Sequence, residues 1–361
     1  MKTLVAVTRT NYGIEKAVKL AIELLGGVDN FISPGETVLL KPNLFNVEPP
    51  ETGCTTDMRI VLATAELLKK QGSKCILGEC PATAAYTRPE MIYEAHNLYE
   101  ICKKADIELK VLDRDHPIKR TTNGKVLDSF YFPETAVNNP IINLPKLKTH
   151  ALTTLSCAVK NLFGLQQGGI KAHHHVSVSN DPEAFSHLLL DLYEAIKAQI
   201  RLNIVDAHIA MEGEGPAAGV PVPLGLIIAG ENPIAVDLVS SAIIGWNPQK
   251  EVGTNYLAKI REIGPRSLDE IEIIGEQIET VRRFLKKPQI HQDGEMFIKI
   301  RMPIHCDTDK CRGCGVCEKI CPANAIKVLD IPEFNMEKCI QCFCCVELCP
   351  YNALKAQRPD E

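Results

Sequence analysis

Two cysteine runs near the C-terminal end constrain this chain more than any other feature. Cys311-x2-Cys314-x2-Cys317-x3-Cys321-Pro322 is followed by Cys339-x2-Cys342-x2-Cys345-x3-Cys349-Pro350, and the flanks repeat too, Asn324-Ala325-Ile326 against Asn352-Ala353-Leu354. Of 15 cysteines, ten lie between Cys306 and Cys349. Such density in a small secreted chain would mean disulfides, but 361 residues with 45% hydrophobic content bury a core without them. Thiols clustered at this spacing hold metal instead.

A C-x2-C-x2-C loop wraps three thiolates around one iron–sulfur cubane and leaves the fourth to arrive from elsewhere. Where two such runs occur together, the fourth cysteine of each crosses to the other cluster. The expected ligand sets are therefore Cys311, Cys314, Cys317 and Cys349 for one [4Fe-4S] cluster, and Cys339, Cys342, Cys345 and Cys321 for a second. Structural zinc, the alternative, typically uses paired C-x2-4-C units, often with His. Cys306 and Cys344 fall outside the repeat and are not assigned as ligands. The segment resembles the bacterial two-[4Fe-4S] ferredoxins, which implies a small α+β module, an electron relay and a low-potential donor or acceptor protein as partner. Oxygen-sensitive clusters on a short tail also point to an anaerobic or micro-oxic host.

Before the tail, short runs rich in Val, Ile and Leu alternate with longer amphipathic stretches, the pattern of an α/β domain with a mostly parallel sheet flanked by helices. Expected strands are Leu4–Thr8, Thr37–Lys41, Lys74–Gly78, Glu108–Asp113, Pro140–Leu144, Arg201–Asp206, Leu224–Ala229 and Ile271–Gly275. Thr87-Arg88-Pro89-Glu90 and Asp181-Pro182-Glu183 read as helix starts, and Gly72 as the end of a helix opening near Asp57. Breaks at Lys287-Pro288 and Asp293-Gly294 suggest two domains, 1–296 and 297–361.

The balance of 40 Lys+Arg against 45 Asp+Glu leaves a net charge of −5 with no basic run, which argues against a nucleic-acid partner. The first apolar run is too short for a secretion signal, and no stretch has the length of a membrane span, so a cytoplasmic location is expected. Against that acidic background, no Asp or Glu occurs between Glu134 and Asp181, while Lys146, Lys148, Lys160, Lys171, His150, His173, His174 and His175 all do. An acid-free, Gly-containing segment after a strand suits an anionic small molecule at the carboxyl edge of a parallel sheet, and Lys41-Pro42-Asn43 opens onto the same edge. Asp206, Glu212 and Glu214 follow another strand and could meet a divalent cation; Asp237 could reach the pocket or cap a helix. The loop Gly213–Gly219 has the wrong spacing for a dinucleotide fingerprint.

Lys41-Pro42-Asn43, Pro145-Lys146-Leu147-Lys148-Thr149-His150, Val159-Lys160-Asn161-Leu162-Phe163-Gly164 and the Lys171/His173 pair together resemble the DUF362 family, in which a ferredoxin-type tail is common. Carried over residue by residue, the resemblance implies substrate-binding positions at Lys41, Asn43, Lys146, Lys148 and Asn161. It implies catalytic positions at His173, His150 and Lys160. Three functions compete: a ferredoxin-coupled oxidoreductase acting on an anionic substrate or cofactor, a non-catalytic electron-transfer adaptor, and a maturation factor for another protein's metal centre.

Overall fold

The computed structural model describes residues 2–81, 88–178, 181–292, 296–298 and 302–356. Thr87 of the expected helix start and the Asp293-Gly294 break lie outside them. Among the described residues, twelve strands form the larger body: β1 (Thr3–Arg9), β2 (Thr37–Pro42), β3 (Lys74–Glu79), β4 (Glu108–Val111), β5 (Pro117–Thr121), β6 (Ser129–Pro133), β7 (Ile141–Leu144), β8 (Lys146–His150), β9 (Thr154–Ser156), β10 (Ile200–Glu212), β11 (Val220–Gly230) and β12 (Ile271–Gly275). The sheet runs β12-β1-β11-β10-β7-β2-β3-β4, with β8 pairing β10 and β9. Only the pairings of β11 and of β9 within this sheet are antiparallel.

All eight strands expected from the sequence are present. Most of them are continuous apolar runs because both faces of the sheet are covered. On β2, Leu39 packs into one apolar core while its neighbours Val38 and Leu40 pack into the other. The edge strands β4 and β12 are only partly buried and carry their charges outward. Helices cover both faces. Met58–Lys70 starts on Asp57, whose carboxylate accepts from Arg59 N, and ends before Gly72 at φ 84°. Pro182–Ile196 starts on Asp181, which accepts from Glu183 N and Ala184 N. Glu90–Ala95, by contrast, has no side-chain cap among the described residues, and the Glu90 carboxylate pairs with Arg114.

Four strands escaped the sequence reading: the β5–β6 hairpin, and β8 with β9. The whole of β8, Lys-Leu-Lys-Thr-His, is buried, so its polar composition reads as a loop until its partners are known. The tail adds two small antiparallel pairs, Ile304–Cys306 with Leu354–Ala356 and Ile326–Val328 with Pro332–Phe334, and two short helices, Val316–Lys319 and Cys344–Glu347. Among the described residues no helix is long and apolar enough to cross a membrane.

Candidate functional site

The parallel strands β2, β3 and β7 end on one edge of the sheet, and the register lines up their last polar residues. Lys41 stands opposite Asn143, and Asn143 opposite Asn203 on β10. From this row grows a one-directional chain of hydrogen bonds. Lys148 Nζ donates to Asn43 Oδ1 (3.1 Å), Asn43 Nδ2 to Asn161 Oδ1 (2.9 Å) and Asn161 Nδ2 to Asn143 Oδ1 (2.7 Å). Asn143 Nδ2 then donates to Asn203 Oδ1 (2.8 Å), and Asn203 Nδ2 to the Gly230 carbonyl (3.1 Å). Each amide accepts from one neighbour and donates to the next, so the buried polar groups are satisfied and hold one another in place.

Two buried ion pairs flank the chain. Lys41 Nζ lies 2.6 Å from Glu79 Oε2, and Glu79 Oε1 accepts from Cys80 N at 3.0 Å. Burial holds Lys41 below and Glu79 above their ordinary ranges, with their mutual attraction opposing both shifts. Lys146 pairs with Asp206 at 2.9 Å, and both are fully buried. Glu212 accepts from Lys286 N and Glu214 from Gln289 N, so the acids at the end of β10 and just past it anchor the segment leading to the tail. Among the described residues no three His, Cys, Asp or Glu side chains converge closely enough to hold a single ion, the adjacent histidines included.

In front of this network opens a cleft of about 630 Å³, counting its mouth. Asn43, Lys148, His150, Lys160 and Asn161 line it. Lys41 and Lys146 stand behind its wall, in the ion pairs, and His173 is exposed outside it. The residue of the histidine triplet that does line the cleft is His175, stacked on Phe185 at 4.5 Å between centroids. His174 is buried against Phe130 and Phe163, and burial takes its pKa down to about 4. Consecutive helical residues point in different directions, so the three histidines have three environments.

Lys160 rides on the short helix Ala158–Asn161, over the rings of Phe163 and Phe185 (4.9 and 5.5 Å). The carboxylate of Asp237 holds the start of that helix, accepting from Ala158 N (2.7 Å) and Val159 N (3.1 Å), outside the cleft. Lys148 lies 4.2 Å from the centroid of Phe45, and Lys171 donates to the Cys80 carbonyl. Gly164 faces the ion pair: a Cβ there would collide with Glu79 Oε1 and stand 2.7 Å from Lys41 Nζ. Glu79 and Cys80 line the cleft without having been singled out as pocket residues. Their position at the end of β3, on the carboxyl edge, was the available signal.

The far wall comes from the tail. Cys344 and Leu348 line the cleft, and Cys344 is the chain neighbour of Cys345. Asn352 ties the tail down, accepting from Asn46 Nδ2 (3.2 Å) and donating to Glu48 Oε1 (2.9 Å). Within the tail, Cys321, Cys339, Cys342 and Cys345, with Cys344 beside them, line a space of about 400 Å³, counting its open side. Cys311, Cys314, Cys317 and Cys349 line another of about 330 Å³. Thiols held apart around a void fit an iron–sulfur core rather than a lone zinc ion, which draws its ligands to about 2.3 Å.

Amides point at the sulfurs. Ala325 N donates to Cys321 Sγ (3.1 Å), Ala353 N to Cys349 Sγ (3.3 Å) and Gln341 N to Cys339 Sγ (3.4 Å). The loops share a backbone with two left-handed residues each, Gly313 and Gly315 in the first, Gln341 and Phe343 in the second. Glycine adopts that conformation without cost, whereas Gln341 and Phe343 are each held there against a penalty of about 1–2 kcal/mol.

Residues 38–242 match the family described as a domain of unknown function, DUF362, and residues 310–353 match a 4Fe-4S dicluster domain. A thylakoid-associated protein of a Synechocystis species is 34% identical over 239 residues, covering 64% of this chain and 70% of the relative. No solved structure matches. The tail therefore gives the protein an iron–sulfur electron-transfer role and implies redox partner proteins. The chain belongs to the DUF362 family and carries a 4Fe-4S dicluster module at its C-terminal end.

Proposed function

We propose that the protein is a ferredoxin-coupled oxidoreductase in which electrons pass between a partner protein and an anionic small molecule in the cleft, through two [4Fe-4S] clusters. The chain is read as an α/β domain, residues 1–296, carrying this site and a two-cluster domain, residues 297–361. The observation that carries the reading is the shared wall: Cys344 and Leu348 line the cleft beside cluster ligand Cys345. The cluster held by Cys321, Cys339, Cys342 and Cys345 is thus proximal to the cleft. The other, with Cys314 exposed, faces outward and meets the partner. When bound, the clusters supply one-electron carriers, so each passage oxidises the partner by one electron and reduces the cleft molecule by one.

The chain's own residues supply the rest. Lys148, Lys160 and Lys171 give the cleft positive charge beside a single acid, Glu79, which Lys41 offsets. In a partly dehydrated site that balance favours an anion. His150, whose Nδ1 accepts from Leu152 N (3.0 Å), carries its proton on Nε2 when neutral and is a candidate proton source for a molecule being reduced.

The test uses anaerobically purified protein, reduced with dithionite and challenged with small carboxylate and phosphate anions while cluster absorbance is followed. Reoxidation by one class of anion, slowed about 100-fold in Lys160→Ala at unchanged iron content, is the expected result. Reoxidation only by redox proteins, at equal rates in wild type and Lys160→Ala, would replace this reading with that of an electron-transfer adaptor.

A further inference from the structure

We propose that the cleft takes an amphipathic organic anion, a carboxylate carrying an apolar chain of several carbons, with its charged end on the large body and its apolar end against the tail. The inference deepens the oxidoreductase reading above and rests on it for the anionic charge. What it adds comes from the rest of the lining. Leu44, Phe45, Pro81, Phe163, Pro216 and Leu348 all line the cleft, and their side chains are hydrocarbon, with nothing to donate or accept.

A compact inorganic anion entering such a space gives up water on every side and regains polar partners on one side only. A carboxylate with a hydrocarbon body presents its oxygens to that side and lays carbon on the others. The cleft, about 630 Å³ counting its mouth, has the size of sites that enclose whole organic molecules.

The two kinds of lining are also sorted in space. Lys148, His150, Ser156 and Lys160 come from β8, β9 and the helix Ala158–Asn161, all in the large body. Phe45 and Phe163 sit at the boundary: Lys148 Nζ lies 4.2 Å from the centroid of the first ring and Lys160 Nζ 4.9 Å from that of the second. A ligand whose charge meets the lysines therefore has its next carbons on aromatic rings. Of the described residues, the tail gives the wall Cys344 and Leu348, neither of them charged. Cys344 also lines the space among Cys321, Cys339, Cys342 and Cys345. The apolar end of the ligand, not its carboxylate, thus lies beside the proximal cluster.

The experiment is anaerobic calorimetric titration of the full-length, cluster-loaded protein with straight-chain carboxylates from acetate to octanoate, and with inorganic phosphate. One site per chain is expected, with affinity rising about fourfold per added methylene until the chain outgrows the cleft. Lys160→Ala should weaken every member by about the same factor, at least about tenfold. Leu348→Ala should weaken only the members long enough to reach the tail. Acetate or phosphate binding as tightly as the longest chains would overturn the apolar body, and so would a rise with length that Lys160→Ala leaves untouched, which would be adsorption elsewhere. Equal losses along the whole series in Leu348→Ala would overturn the orientation. Binding of none of these anions would instead strike the anion site itself, and this inference would fall with it. Iron content and Trp246 fluorescence identify a variant that fails to fold, and the wild-type series decides the apolar body without either variant.

Discussion

The tail and the cleft both gather polar groups around a small space, but they do so by opposite means. Each void in the tail draws all but one of its cysteines from a single loop, where spacing alone brings them together. The cleft draws on the ends of β2 and β3, on β8, on two short helices and on the tail, so its geometry belongs to the whole fold. Damage to a cysteine loop should therefore remove iron and spare the sheet, whereas damage to the network behind the cleft should unfold the sheet.

Lys41→Ala is the strongest test of that contrast. It removes the cation that draws Glu79 toward its charged form and leaves the carboxyl buried without its partner, which should cost about 3–5 kcal/mol. The sole tryptophan, Trp246, is buried in the large body and donates to the Leu285 carbonyl, so its fluorescence in a denaturant titration reports the loss. Cys342→Ala should lower the iron content and move that transition little. Equal shifts in both variants would dissolve the distinction between local and global sites.

Asp237 offers a pH-dependent version. Burial raises its pKa from 3.8 to about 6. Because the folded value lies above the unfolded one, its contribution to stability is complete below pH 3.8 and is lost as pH rises through about 6. Relative to Asp237→Asn, which has no proton to lose, the wild type should lose about 3 kcal/mol across that window. A constant difference between the two would mean that the carboxyl does not titrate there.

The smallest effect is expected at Gly164. Its φ is unremarkable for any residue, but Gly164→Ala pushes a methyl group into the Lys41–Glu79 pair and should destabilise by about 1–3 kcal/mol. If unfolding followed by Trp246 fluorescence moved by less than measurement error, the pair would have more room than its geometry implies.

Much of this was readable in the sequence, for physical reasons that differ by region. The strands of the sheet core announce themselves because both their faces are apolar, as with Ile141–Leu144, whose asparagine is the lone interruption. The same rule fails at β8, where Lys146, Lys148 and His150 are buried by partners that lie far away in sequence, Asp206 and Cys54 among them. Asn43, Lys148, His150, Lys160 and Asn161 could be named as pocket residues from short motifs. That His175, rather than His173, faces the cleft depends on the rotational phase of one helix, Ile170–Ser177, against the sheet.

The sequence by itself determined the metal chemistry of the tail and the layered architecture of the large body. Both rest on short-range regularities: cysteine spacing inside a loop, and apolar runs a few residues long. Only the tertiary structure decided that Glu79 and Cys80 enter the cleft, that Lys41 and Lys146 serve behind its wall, and that Cys344 and Leu348 of the tail supply its far wall. Those facts depend on strand order and domain packing, which join residues hundreds of positions apart through contacts that no local pattern encodes.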